Sequence, residues 1–229
     1  MSTNKKVGIL ISVVILFVTV IVGYLTIDYS FQERKLKNEI LKLTKLDISK
    51  DTFNTKVVTR GSYGKVEGAI KDYLNEYAVN LQEINSLVNN DKINKLISYD
   101  NLNNDNYNTY INYVNDSIDT INGNIDILID LCDEETIRYY ILQYDLDKYY
   151  VDLYNDLMLS DDVSKNLIIS IDYLKEYKEY INNKFNTCFE ILDFLNNNKD
   201  NYSLEDGEIK FKDNDLYNQY NGYIDKITA

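Results

Sequence analysis

The sequence predicts a mainly all-α protein: a single N-terminal transmembrane helix, then an antiparallel helical bundle of long helices. Three observations carry this prediction. Residues 7–27 read VGILISVVILFVTVIVGYLTI, 21 positions without a charge. The chain has no proline and only 8 glycines, so few residues interrupt a helix. Beyond the apolar run, apolar residues recur at alternating steps of three and four, the stripe of an amphipathic helix.

The apolar run would extend about 31 Å as a helix, which matches the hydrocarbon core of a bilayer. It is too long for a signal-peptide core, and no small-residue cleavage site follows Gly23-Tyr24-Leu25-Thr26-Ile27. The reading is an uncleaved signal anchor, single-pass, behind a short basic N-tail (1–6) with Lys5 and Lys6 at its edge. Topology is argued from both sides. Arg34, Lys35, Lys37 and Lys42 outnumber the two N-terminal lysines, which favours a cytoplasmic C-terminal domain. The basic N-tail directly at the membrane edge favours the opposite. Long domains also translocate largely regardless of charge. The expectation is a cytoplasmic N-terminus and an extracytoplasmic C-terminal domain at the cell membrane of a bacterium.

Charge divides the rest of the chain. Residues 29–66 hold nine Lys/Arg against four acids, a net of +5, and residues 67–229 hold 13 against 32, a net of −19. Residues 28–62 read as a basic juxtamembrane stalk and linker, able to rest on anionic headgroups or to stand as a solvated helix laced with ion pairs. Leu36, Ile40 and Leu43 give it a thin apolar stripe, and 47–62 lose the helical period. An acidic distal domain argues against nucleic acid, whose phosphates it would repel.

Residues 63–229 read as the helical-bundle domain. The first helix carries Val66, Ile70, Tyr73, Tyr77, Leu81, Ile84 and Val88, with Ser62 as its N-cap. A short helix is expected over 93–99 and a polar loop over 101–106. The second long helix, about 107–133, has a regular heptad seam of Ile111, Val114, Ile118, Ile121, Ile125, Leu128 and Cys132. The third, about 135–159, shows two apolar faces: Ile137, Ile141 and Tyr144 on one, Leu142, Leu146, Tyr149 and Leu153 on the other. The fourth, about 163–197, is seamed by Leu167, Ile171, Leu174, Ile181, Phe185, Cys188, Leu192 and Leu195. Lys178 interrupts that seam, and Tyr177 is expected to fill its layer. Residues 208–211 alternate like a strand, and a partner is sought in the extended stretch 56–59. Asp213 or Asn214 caps a last helix.

Histidine is absent, which removes Ser-His-Asp and Cys-His pairs, His-ligated zinc and His-based acid catalysis. No catalytic residue, cofactor or metal is assigned. Asp133-Glu134-Glu135 and Asp161-Asp162 suit helix starts, where carboxylates meet the macrodipole, and neither has EF-hand spacing. Residues 59–65, TRGSYGK, lack the spacing of a phosphate-binding loop. The Tyr139-Tyr140, Tyr149-Tyr150 and Tyr173/Tyr177/Tyr180 clusters are expected to border the core, with hydroxyls in water. Cys132 and Cys188 are the sharpest local expectation. Counting rise along the helices places both at one level of the bundle, within reach of a disulfide if their helices are neighbours.

No resemblance to a known family is apparent. The expected function is that of a non-enzymatic binding or interaction protein, held by the lipid bilayer and engaging a protein partner or a second copy. The alternative is a ligand-sensing bundle acting through a partner protein.

Overall fold

The computed structural model describes residues 31–52, 54–90 and 107–228. The expected anchor (7–27), short helix (93–99) and polar loop (101–106) lie outside the described residues. Among the described residues, no helix is long and apolar enough to cross a membrane.

The described chain is mainly helical and bundle-like. Helix α1 spans Phe31–Leu43, α2 Gly61–Val88, α3 Tyr107–Leu131, α4 Glu134–Leu142, α5 Lys148–Met158 and α6 Asp161–Asn197. A 3-10 turn, Lys199–Asn201, leads into strands β1 (Tyr202–Glu205) and β2 (Glu208–Phe211), and helix α7 (Asn214–Thr228) follows. The chain divides into two compact units. Of the described residues, one comprises 31–52, 54–84 and 124–176, the other 85–90, 107–123 and 177–228.

In the first unit the expected stripes form the core. Val66, Ile70, Tyr73, Leu81 and Ile84 of α2 are buried, with Ile125, Leu128 and Leu131 of α3 and Leu167 and Leu174 of α6. Helix α1 belongs to this same unit. Leu36, Ile40, Leu43 and the following Ile48 are all buried, so residues 31–48 form part of a packed core and not a free-standing stalk. Gln82 fixes the segment after α1 by donating to the Ile48 carbonyl (2.8 Å) and the Asp51 carbonyl (3.0 Å).

The expected third helix is two. Residues 143–147, Gln-Tyr-Asp-Leu-Asp, separate α4 from α5. Asp133 caps α4, accepting from the Glu135 N–H at 2.7 Å and the Thr136 N–H at 3.4 Å. The break also removes one of the two expected apolar faces. Ile137 and Ile141 are buried, whereas Leu142 and Tyr149 are exposed. A short helix that ends at Leu142 has no further turn to carry that second stripe against a neighbour.

In the second unit the α6 seam holds. Ile181, Phe185, Ile191, Leu192 and Leu195 are buried, and Tyr177 fills the layer beside Lys178. Asn122 of α3 and Asn182 of α6 exchange side-chain amides at 2.9 and 3.2 Å. A reciprocal amide pair fixes one register, because a shift would leave both amides without that partner.

The expected pairing of 208–211 with 56–59 is corrected. Strand β2 pairs antiparallel with β1, Tyr202 opposite Phe211 and Glu205 opposite Glu208. The reason is local. Asp206 and Gly207 both take positive φ (55° and 83°), the conformation of a type I′ turn. Asp-Gly favours that turn, and its twist suits a two-residue hairpin. The hairpin is held by rings: Phe211 lies 6.0 Å from Phe194 of α6, 5.7 Å from Tyr202 and 5.4 Å from Tyr220 of α7. Asp213 caps α7 by accepting from the Asp215 N–H at 2.8 Å. Residues 56–59 instead run as a strap along α2.

Candidate functional site

The densest chemistry in the described residues lies in the first unit, where α1, α2 and the strap meet. Glu67 and Lys71 stand one turn apart on α2, and neither side chain has any exposed area. Lys71 Nζ lies 2.7 Å from Glu67 Oε1 and 2.9 Å from Glu39 Oε1 of α1, and it donates to the Lys56 carbonyl at 2.6 Å. Those three contacts match the three donors of an ammonium. Glu67 accepts from the Val58 N–H (2.9 Å), the Thr59 N–H (2.8 Å) and the Thr59 hydroxyl (2.6 Å). Lys42 completes the balance at 2.9 Å from Glu39. Two carboxylates thus meet two ammoniums.

Burial alone would push both carboxyl groups upward. At Glu39 the ammoniums of Lys71 and Lys42 outweigh it, and the group is held below the usual value. At Glu67 burial is outweighed by Lys71, Thr59 and the strap N–H groups, with the same result. The cluster is fully satisfied, charge against charge. It clamps the strap and α1 to α2, and neither carboxyl group is raised toward neutral pH.

The glycines of the TRGSYGK segment belong to this clamp. Gly61 opens α2 with a φ of 61°, so Ser62 lies inside the helix and is not its cap. A Cβ at Gly64 would come within 3.1 Å of the Thr59 carbonyl oxygen. Gly64 therefore lets the strap lie close on α2, and the segment serves packing. Nearby, Tyr63 (3.3 Å) and Tyr149 (3.0 Å) donate to the buried Glu33 carboxylate, which also lies 3.7 Å from Lys37 Nζ.

Outside the clamp, α1 opens onto a cleft of about 550 Å³ lined by Lys35, Asn38, Glu39, Leu41, Lys42, Lys45 and Val58. The cleft is basic. Its one carboxylate, Glu39, is already paired, and Lys35, Lys42 and Lys45 are exposed.

Cys132 and Cys188 are both buried and both free thiols. Burial pushes Cys132 up to about 12 and Cys188 up to about 11, so neither is a ready nucleophile at neutral pH. They fall in different compact units. The level counting has one premise that the fold changes. It needs one continuous return helix, and the chain supplies α4 and α5 with a break between them. Cys188 also lies 27 residues beyond the start of α6, roughly 40 Å along it.

The acidic pairs are helix starts: Asp133 caps α4, and Asp161 and Asp162 form the first turn of α6. Among the described residues, no group of three or more His, Cys, Asp or Glu is arranged to hold a metal ion. Two tyrosines outside the expected border clusters lie in the core. Tyr73 and Tyr154 are fully buried, and their hydroxyls donate to the carbonyls of Leu131 (2.9 Å) and Ile137 (2.8 Å) instead of to water. Tyr177 is also buried, while Tyr139 and Tyr149 are exposed.

The sequence reading missed Glu67 and Lys71. The signal was present: an i,i+4 Glu–Lys pair beside Val66 and Ile70, with Gly68 and Ala69 between and Gly64 just before. Small residues on every side of a charged pair indicate close neighbours all round, hence burial. In comparisons with known proteins, the chain matches no family model, no curated protein and no solved structure.

Proposed function

We propose that this is a membrane-anchored, extracytoplasmic interaction protein without enzymatic activity, a helical domain that binds a protein partner or a second copy of itself. One observation carries the binding reading. Ile169 and Tyr173 lie one turn apart on α6 and are exposed, and Ile168, on the flank of that face, is exposed by 64%. Residues at i and i+4 share a helix face, and large apolar side chains left together in water mark a contact surface. The anchor reading is supported by the 21-residue apolar run. The absence of histidine and the low-pKa, fully paired carboxylates of the clamp favour binding over catalysis.

A photo-crosslinking residue in place of Ile168, in the full chain in intact cells, tests the binding role. The expected result is a discrete crosslinked species, lost when Ile169→Asp is added. The same diffuse pattern from Ile168 and from the exposed polar position Lys175 would overturn it. Lys175→Cys tests the topology. The native thiols are buried and largely protonated, so a membrane-impermeant maleimide is expected to label the new cysteine alone, without lysis. Labelling only after lysis would place the domain in the cytoplasm.

A further inference from the structure

We propose that the lysine face of α1 is a docking site for the phosphate-bearing headgroups of anionic phospholipids. The proposal rests on the reading of residues 7–27 as a membrane anchor and names what the adjoining helix does there. Lys35, Asn38 and Lys42 follow one another at steps of three and four, so they share one face of α1, and Lys45 follows in the turn after it. The opposite face, Leu36, Ile40 and Leu43, is buried. The lysine face is thus fixed outward by the core, and the clamp stiffens it through Glu39.

Four features point to lipid. First, the cleft presents three exposed ammoniums and one amide, and its single carboxylate is already held by Lys71 and Lys42. Second, Lys35 to Lys42 span about 10 Å of helix, and Lys45 extends the row beyond its end. That is too far for one phosphate to bridge, and it suits a row of headgroups. Third, exposed apolar groups sit among the charges. Phe31 is 69% exposed, Lys35 Nζ lies 5.1 Å from its ring centre, and the exposed Val58 lines the cleft. Lysine beside exposed apolar side chains is the pattern of an interfacial helix. The exposed Arg60 adds a cation, since its N–H is tied to Gln32 of α1 at 3.2 Å. Fourth, Lys35 is eight residues from Ile27, at most about 28 Å away even along extended chain. Residues 67–229, at −19, are repelled by an anionic surface, so attraction falls on the basic segment that contains α1.

The test uses the full chain in vesicles of phosphatidylcholine, or of phosphatidylcholine with phosphatidylglycerol, washed with alkaline carbonate. A soluble amine-acylating reagent is added, and labelling of each lysine is read by mass spectrometry, with Lys148 and Lys175 as exposed references. The expected result is that Lys35, Lys42 and Lys45 react about fivefold more slowly in the phosphatidylglycerol vesicles only. Lys35→Gln with Lys45→Gln leaves the Lys42–Glu39 contact in place and is expected to abolish the protection of Lys42. Retention of the chain with equal labelling in both vesicles would overturn the headgroup site alone. Loss of the chain in the wash would overturn the anchor and the site with it. Equal protection by inorganic phosphate on phosphatidylcholine vesicles would assign the face to free anions, and protection that grows with protein density would assign it to a second copy. Either would overturn the lipid assignment.

Discussion

Lys71→Met is expected to destabilise the first unit by about 3–5 kcal/mol, because it strands two carboxylates away from water. Glu67 would keep its strap donors, and Glu39 would keep Lys42, but both would lose the ammonium that lies between them. Urea denaturation of the full chain in detergent micelles, followed by circular dichroism, measures the change. Adding Glu39→Gln and Glu67→Gln to Lys71→Met is expected to recover much of the loss, since the cost lies in the unpaired charge. The pH dependence follows in sign. Both carboxyl groups sit below their ordinary value of 4.5 in the fold. Their contribution is therefore present above about pH 4.5 and lost as the pH falls through the lower folded values. Wild type is expected to lose stability more steeply than the triple variant in that acid range. Parallel curves would show that the cluster does not supply the pairing energy assigned to it.

Tyr73→Ala is expected to cost about 3–5 kcal/mol, and Tyr73→Phe about 1–2 kcal/mol. The ring is fully buried, lies edge-on to Tyr140 at 5.5 Å and approaches Tyr77 at 6.4 Å. Its hydroxyl donates to Leu131, the last residue of α3, at the corner where the chain turns into α4. The phenylalanine variant keeps the packing and removes only that donor. The two denaturation midpoints thus separate ring from hydroxyl. Equal losses in the two variants would mean that the hydrogen bond, and not the ring, dominates.

The helix stripes were legible because they depend on spacing alone. Val66 through Ile84, and the α6 seam with Tyr177 covering Lys178, lie where the alternation of threes and fours puts them. The failures share another cause: they depend on which parts of the chain meet. The α4–α5 break was hidden because Gln143–Asp147 contains neither glycine nor proline. The helix count that puts Cys132 level with Cys188 depends on one continuous rod, which the chain replaces with α4 and α5. The hairpin was misassigned because Asp206-Gly207, a strong local turn signal, was passed over for a distant partner. In the clamp, Glu67 and Lys71 look like an ordinary surface pair until Glu39 and the strap are brought to them, and no period in the sequence does that.

The clamp also sets a path for mechanical load. A pull applied at Phe31, where the described chain begins, enters α1 and reaches α2 through Glu39 and Lys71. Farther along, it meets the Gln82 contacts to Ile48 and Asp51. These attachments lie at separate points along α2, and the first is ionic, dry and shared by two helices and a strap. Tension would be divided among them before any one gave way. A load that enters at α1 is thus carried by several attachments at once.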